Sequence, residues 1–277
     1  SSKWREEAID RQVPFWEIDT EIDMMDEERS KFWTDIKNWT GDILRLEIMG
    51  GEPFYMKQFR NFAKMLIEDK TSQRIAMTLS TNGTVANKEL LESMATNFKD
   101  LAFSVSIDGI EDQFTYLRHP GNWNVTKENL DYYYELHNSE YPVFVQITHT
   151  VSALNIWYLP DFAQYLFDKD YKKIGIHDHQ GMFHPGVLHY PQYMCAKVLP
   201  KEMKQIITEK IDNFMLKYPE KNKVQELKNM TNFMNSEDWS DKWSALNKYI
   251  RSIDTMRQTD FTSDFAELYE LWSKYEV

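Results

Sequence analysis

Three short motifs combine glycines with polar or charged side chains, and each lies at the end of an apolar run of strand length. They read Gly50-Gly51-Glu52-Pro53, Ser80-Thr81-Asn82-Gly83-Thr84 and Ser104-Val105-Ser106-Ile107-Asp108-Gly109. Two adjacent glycines let bare backbone approach a ligand, and exposed carbonyls beside the Glu52 carboxylate suit an ammonium group. Because ligands of α/β sheets bind at the carboxyl ends of the strands, we expect the three motifs to surround one site.

Short strands alternate with helical stretches between about residues 43 and 180. The predicted strands are Leu44–Met49, Arg74–Asn82, Leu101–Asp108, Val143–Thr150 and Lys173–His179. Apolar residues at helical spacing predict helices over Met56–Asp69, Asn87–Asn97, Thr126–Asn138 (with Thr126 as a plausible cap) and Leu159–Asp168. Strands that alternate with such helices indicate right-handed βαβ units and a parallel sheet.

Each predicted strand has one apolar and one polar face. In Leu101–Asp108, Phe103, Val105 and Ile107 oppose Ser104, Ser106 and Asp108. A hydroxyl or amide buried without a partner costs about 1–3 kcal/mol, so a dry interior cannot hold all of these groups. We therefore predict a curved sheet, a partial barrel whose polar concave face lines a binding cavity. An antiparallel sheet with one solvated face would give the same alternation, but the intervening helices favour the parallel form.

The ends of the chain are predicted to be helical. The first segment, Glu6–Trp39, is mostly helical, and the tail contains four amphipathic stretches: Pro200–Tyr218, Asn222–Asn235, Ser240–Gln258 and Thr262–Tyr275. We predict two units. Residues 1–190 form the barrel, with a helical segment over 1–40, and residues 191–277 form a helical C-terminal region.

Composition excludes several classes of function. The 277 residues include 32 basic and 44 acidic side chains, a net charge of -12, which disfavours nucleic acids and anionic membranes as partners. No apolar window is long enough to span a membrane, and the charged start is no signal peptide, so a cytoplasmic location is expected. One cysteine, Cys195, excludes an internal disulfide and any cysteine-only metal site within one chain.

The order of the motifs resembles a known family. The chain contains, in this order, GGEP, STNGT, SVSIDG and YLRHPGNW, the last of which includes Arg118. This order resembles that of the radical S-adenosylmethionine (radical SAM) enzymes, particularly of members with a shortened C-terminal "twitch" region. The resemblance covers about residues 40–180. It extends loosely over 200–275 through a Leu-Pro helix start and the Asp254-x-x-Arg257 pattern. It implies a partial (β/α)6 TIM-like barrel of parallel strands that holds S-adenosylmethionine at their carboxyl ends.

The resemblance also implies cofactor contacts. Gly50, Gly51 and Glu52, followed by Pro53, would receive the methionine amino group, and Arg118 would pair with the carboxylate through its guanidinium fork. The ribose and carboxylate region would be lined by Ser80, Asn82, Ser104, Ser106 and Asp108. Val151 and Asn155 would lie near the adenine. No catalytic residue and no metal ligand is predicted in this chain.

The sequence departs from the family at the cluster site. The family holds a four-iron four-sulfur cluster with Cys-x-x-x-Cys-x-x-Cys after its first strand, and this sequence has no such motif. We expect an N-terminal truncation that removes the first strand and the cluster loop, which leaves this chain inactive alone. By resemblance, the parent enzyme would cleave S-adenosylmethionine to a 5′-deoxyadenosyl radical and abstract a hydrogen from a small-molecule or peptide substrate. A flavodoxin or ferredoxin would supply the electron.

Two other functions remain open at this stage. His177 and His179 could bind zinc or iron with Glu47 and Asp108 in a metal-dependent hydrolase on a TIM-like barrel. Alternatively, the chain is a non-catalytic binding module in which the aromatic residues of the tail form a partner surface. Aromatic residues at helical spacing are more often core.

Overall fold

Among the described residues, five parallel strands form one sheet in the order of the sequence. In the computed structural model, which describes residues 32–169, 184–218 and 224–275, neighbouring strands pair as β1-β2-β3-β4-β5. Their bounds are Arg45–Ile48 (β1), Ala76–Thr81 (β2), Asp100–Ser106 (β3), Val143–Val151 (β4) and His184–Val187 (β5). The predicted α/β class and the parallel sheet are confirmed.

The helices before and within the sheet are Phe32–Trp39 (α1), Lys57–Glu68 (α2), Lys88–Asn97 (α3), Glu111–Leu117 (α4), Trp123–Asn138 (α5) and Leu159–Asp168 (α6). The first precedes β1, and the others lie in the connections between successive strands. α2, α3, α5 and α6 lie where the apolar spacing predicts helices, whereas α4 was not predicted. The predicted start of α5 is wrong. Its N-cap is Asn122, whose side chain accepts a hydrogen bond from the Val125 amide, and Thr126 is buried inside the helix. Asparagine caps helices at least as well as threonine.

The strand order never reverses. Right-handed crossovers in such an order place the helices on one face of the sheet. That face is apolar, and it is buried in β2, β3 and β4, where Leu79, Phe103 and Ile147 are inaccessible to solvent. The opposite face is polar and half-buried. Register brings Ser80, Ser104 and Gln146 side by side, and likewise Ser106 and Thr148. The predicted alternation of the two faces is therefore observed.

The last described strand, β5, was not predicted. β5 covers His184–Val187 and pairs in register with the end of β4. The sequence did not indicate it, because Pro185 and Gly186 are both depleted in strands. The predicted strand Lys173–His179 lies outside the described residues, as does most of the predicted helical segment Glu6–Trp39.

The C-terminal part of the chain is helical, as predicted, and packs against the sheet's connections. Its helices are Lys201–Lys217 (α7), Gln225–Asn235 (α8), Trp243–Arg257 (α9), Phe261–Asp264 (α10) and Ala266–Trp272 (α11). Gln113 of α4 donates a side-chain hydrogen bond to the Asp264 carbonyl at 2.9 Å. The Tyr158 hydroxyl accepts one from the Leu268 amide at 3.2 Å. None of the helices in the described residues combines the length and the apolar character needed to traverse a bilayer.

Candidate functional site

The turn after β1 exposes backbone. Gly50 and Gly51 both have left-handed φ angles, 87° and 61°. A Cβ atom added at either position would meet no other atom within 4 Å, so these glycines serve the conformation of the turn and leave open space beside it. Pro53 follows them and is buried.

Glu52 ties this turn to the end of β2. Its buried carboxylate accepts hydrogen bonds from the Thr81 hydroxyl (2.9 Å), the Asn82 amide (2.8 Å) and the Phe54 amide (3.3 Å). Burial raises the pKa of the Glu52 carboxyl above its usual range, while these donors oppose the shift. The first two predicted motifs therefore meet through one desolvated carboxyl group, whose negative charge an adjacent cation would stabilise.

Asn82 organises the second motif. Its side-chain oxygen accepts hydrogen bonds from the amide and hydroxyl of Thr84, at 2.9 and 2.6 Å. Gly83, with a φ of 71°, donates its amide to the Thr81 hydroxyl oxygen at 3.1 Å. The side-chain oxygen of Asn82 therefore stabilises the turn, while its backbone N–H donates a hydrogen bond to the Glu52 carboxylate.

Asp108 and Arg118 form an ion pair at the end of β3. Arg118 Nε lies 2.6 Å from Asp108 Oδ2, and both side chains are largely shielded from solvent. The second carboxylate oxygen of Asp108 accepts the Thr150 amide at 2.6 Å. The guanidinium that the resemblance assigns to a ligand carboxylate thus already has an ion-pair partner within the protein. A guanidinium carries four further N–H groups.

Asn155 locks the loop after β4. Its side-chain amide donates to the carbonyls of Asp108 and Thr150, both at 2.9 Å, and its oxygen accepts the Ser152 amide at 2.7 Å. Asn155 is 1% exposed and its neighbour Val151 is buried in the core. The structure therefore gives both residues a role in shaping the loop next to Asp108.

The sequence analysis missed His149, which belongs to the same network. It lies on the apolar face of β4, where Nδ1 is 2.8 Å from the Ile107 carbonyl and Nε2 is 3.3 Å from the Asn155 amide nitrogen. A carbonyl only accepts, so Nδ1 carries the proton and Nε2 accepts. Burial lowers the pKa of His149 to about 4, although Asp108 opposes the shift. The signal was a histidine among Val145, Ile147 and Val151 at alternate positions.

Two adjacent cavities open at the carboxyl edge of the sheet. The larger, of about 320 Å³, is lined by Asn82, Thr84, Arg118 and His119, and across from them by residues of α9. The smaller, of about 260 Å³, is lined by Asp108, Arg118, Thr150, Ser152 and Asn155. Arg118 faces both cavities. The predicted residues Asn82, Asp108, Arg118 and Asn155 therefore lie around one region.

Other predicted residues lie outside these two cavities. Gly50, Gly51, Pro53 and Glu52 surround the first turn, and Ser80, Ser104 and Ser106 lie on the polar face of the sheet, half-buried and next to one another. Ser106 and Thr148 place their hydroxyl oxygens 3.3 Å apart. The polar face is thus continuous with the site along β2 and β3.

The chain does not provide a site for a four-iron four-sulfur cluster. Its sequence contains one cysteine, and burial raises the pKa of that Cys195 thiol, whereas a cluster ligand is a thiolate. Among the described residues, no group of three or more histidine, cysteine or acidic side chains could hold a metal ion. His177 and His179 lie outside the described residues. Their suggested partners Glu47 and Asp108 belong to β1 and to the end of β3, with β2 between them.

Comparison with known proteins gives weak structural similarities only. No protein-family model matches the chain, and no curated protein does. Native anSMEcpe with bound AdoMet and a Cp18Cys peptide is 15% identical, with a TM-score of 0.46 over 69% of this chain and 53% of that one. Streptococcus suis SuiB bound to S-adenosylmethionine is 17% identical, with a TM-score of 0.41 over 67% and 39%. The chain spans about half the length of the anSMEcpe structures.

Proposed function

We propose that this chain binds S-adenosylmethionine at the carboxyl edge of its sheet, as part of an enzyme of the radical SAM type. One observation carries the proposal. Asn82 donates its backbone amide to the Glu52 carboxylate and also lines a cavity with Arg118. An acid and a guanidinium therefore flank the same turn. That pairing suits the amino-acid end of S-adenosylmethionine, which carries an ammonium and a carboxylate.

Glu52 and the glycine turn would hold the ammonium. Gly50 and Gly51 leave space beside the turn, and a cation near Glu52 would favour the ionised carboxylate that burial now disfavours. Arg118 keeps its Nε on Asp108 and would offer its terminal N–H groups to the ligand carboxylate.

The remaining polar groups would accept the nucleoside. Asp108 and the loop held by Asn155 line the smaller cavity, and the hydroxyls of Ser80, Ser104 and Ser106 continue along the sheet. Val151, which is buried directly before that loop, would lie near the adenine. These roles are proposals for binding and positioning.

The hydrogen-abstraction chemistry would come from an iron-sulfur cluster whose thiolates lie outside this sequence. In the proposed parent enzyme such a cluster would supply the electron for cleavage of S-adenosylmethionine, and the substrate would be a peptide or small molecule. The chain itself would bind and orient the cofactor. After anaerobic reconstitution with iron and sulfide we expect no stoichiometric cluster absorbance.

Calorimetric titration with S-adenosylmethionine and with S-adenosylhomocysteine tests the proposal. We expect Glu52→Gln and Arg118→Gln each to weaken binding on the order of tenfold or more, since each removes a charge-assisted contact. Glu89→Gln and Arg251→Gln, which remove the same charges at exposed positions, should leave affinity unchanged. Binding that ignores Glu52→Gln and Arg118→Gln would contradict the placement of the cofactor.

A further inference from the structure

The sheet begins at β1, and no described strand pairs with the outer edge of β1. That strand pairs only with β2, in parallel. Leu46 and Ile48 of β1 are half-buried, and Leu44 directly before them is 66% exposed. Their partners in register on β2, Met77 and Leu79, are buried completely or almost so. The apolar face of the sheet is therefore incompletely covered at this edge.

Large apolar side chains that are exposed to solvent recur along the chain around β1. In the segment that contains β1 and its two flanks, four such side chains are between 62% and 70% exposed: Trp39, Leu44, Met49 and Tyr55. Single exposed apolar residues are common, but a group of them beside an unpaired strand is typical of an interaction surface.

The backbone groups at the outer edge of β1 belong to Arg45 and Glu47. The Leu44 carbonyl accepts the Ala76 amide of β2 at 2.9 Å. Alternate residues of a strand direct their N–H and C=O groups to opposite edges, so those of Arg45 and Glu47 point away from β2. Both side chains are exposed, and neither makes an ion pair or a side-chain hydrogen bond with another described residue.

The other end of the described sheet has a different composition. β5 contains Pro185, which has no amide hydrogen to donate to an added strand. Proline is one of the residues by which natural sheets avoid pairing at their edges. β1 reads Arg-Leu-Glu-Ile and contains neither proline nor glycine, so its backbone can accept another strand.

The sequence of β1 is complementary to itself in one antiparallel register. If two copies met around a two-fold axis at Leu46, Arg45 of each would lie opposite Glu47 of the other. These residues carry the outward backbone groups, and residues directly opposite can exchange both hydrogen bonds. Leu46 would face Leu46, and Leu44 would face Ile48. Axes at Arg45 or at Glu47 would instead oppose like charges, which destabilises a pair of strands.

We propose that two copies of this chain associate through β1, antiparallel and around a two-fold axis at Leu46, so that one sheet continues across both copies. A two-fold interface uses the same surface on each copy, as this register requires. Because the strand is short, we expect a dissociation constant in the micromolar range. The inference does not depend on the proposed function.

Sedimentation equilibrium of the chain over a range of concentrations tests the association. The unaltered chain should show a monomer–dimer equilibrium. A chain that stays monomeric up to about 1 mM would overturn the inference and would leave this edge to an extended segment of another or a longer protein.

Charge reversals test the register. Arg45→Glu and Glu47→Arg should each raise the dissociation constant on the order of tenfold or more, since each turns two attractive cross-strand pairs into repulsive ones. Lys64→Glu, which makes the same change in charge at an exposed position of α2, should leave it unchanged. Dimerisation that ignores Arg45→Glu and Glu47→Arg would overturn the inference.

An equimolar mixture of Arg45→Glu and Glu47→Arg provides the rescue. Each cross-strand pair between the two variants again joins an acid and a base, so the mixture should associate about as well as the unaltered chain. Circular dichroism confirms that both variants are folded. If the folded variants failed to associate with each other, the proposed register would be wrong.

Hydrogen exchange locates the contact on the backbone. The amides of Arg45 and Glu47 should exchange more slowly at concentrations where the dimer forms than at concentrations where the monomer dominates. A dimer in which both amides exchanged as they do in the monomer would use another surface, and this would overturn the inference.

Discussion

At the scale of single residues, His149 makes stability depend on pH. Its folded-state pKa of about 4 lies below the ordinary 6.5, so the unfolded chain binds the proton more readily. The stabilisation from neutral His149 is complete above about pH 6.5 and is lost as pH falls toward 4, a change on the order of 3 kcal/mol. Urea unfolding between pH 4 and pH 7.5 measures it.

His149→Gln should flatten that dependence, since the titrating group is gone. His184→Gln alters an exposed histidine and should keep it. If the free energy of unfolding of His149→Gln still changed with pH as in the unaltered chain, other titrating groups would be responsible for the dependence.

For Glu52 the ionisation state present at neutral pH lowers the stability of the fold, whereas for His149 it raises it. A raised carboxyl pKa means that the ionised form is penalised on folding at neutral pH. Glu52→Gln keeps an acceptor for the Asn82 amide and removes the charge, so we expect unfolding free energy at pH 7 to change little or to rise by up to about 1 kcal/mol.

Glu52→Ala serves as the contrast, because it orphans the Asn82 amide and the Thr81 hydroxyl. We expect it to destabilise the chain by about 2–3 kcal/mol in urea. Equal losses in both variants would mean that the charge itself stabilises the fold.

Residue types indicated which side chains lie together at the carboxyl edge of the sheet, and their role in binding stays a prediction. The sequence indicated the carboxyl edge of the sheet through the glycine pair Gly50-Gly51, the acid Glu52 and the later Arg118. Few other roles need these residue types in that order. Sequence could not show that Asp108 already pairs with Arg118, or that Asn155 and His149 join β3 to β4. Those contacts depend on register across strands more than 40 residues apart.

At the scale of elements, the turn after β2 depends on Gly83. Its φ is 71°, and an added Cβ would lie 3.1 Å from Val105 Cγ1 and 3.2 Å from Thr126 Cγ2. Gly83→Ala therefore combines a left-handed backbone with a steric conflict, and we expect a loss of about 1–3 kcal/mol by urea unfolding.

Gly41→Ala is the matched control. Its Cβ would meet nothing closer than 3.9 Å, so we expect a change within about 0.5 kcal/mol. Equal effects at both glycines would show that the turn after β2 tolerates a side chain.

Strands and helices were predictable where apolar residues recur with a single period, either that of a strand or that of a helix. Strands β1 to β4 alternate apolar and polar residues, and α2, α3 and α6 carry apolar residues at helical spacing, so one face of each is defined by sequence alone. β5 was missed because it is recruited by pairing with β4, and its own residues include proline and glycine. Pairing partners are a tertiary property that a strand's composition does not encode.

At the scale of the molecule, the parallel sheet was predicted from the sequence, while the division into two units stays a prediction. A boundary near residue 190 would separate the sheet from the tail. Yet the Ala153 amide donates to the Met194 carbonyl at 2.9 Å, and Tyr116 packs on both Phe261 and Phe265. These aromatic residues of the tail therefore belong to the core. Their helical spacing had favoured a core position over a partner surface.

These contacts predict that the sheet and the tail unfold together. Phe265 is fully buried and contacts Tyr116 and Tyr158, so Phe265→Ala should cost about 3–5 kcal/mol. Its urea transition should shift equally by far-ultraviolet circular dichroism and by tryptophan fluorescence, as in a two-state unit. Leu216→Ala, at a side chain 73% exposed, should change stability by less than about 0.5 kcal/mol. If Phe265→Ala instead split the two signals into separate transitions, the tail would be a unit of its own.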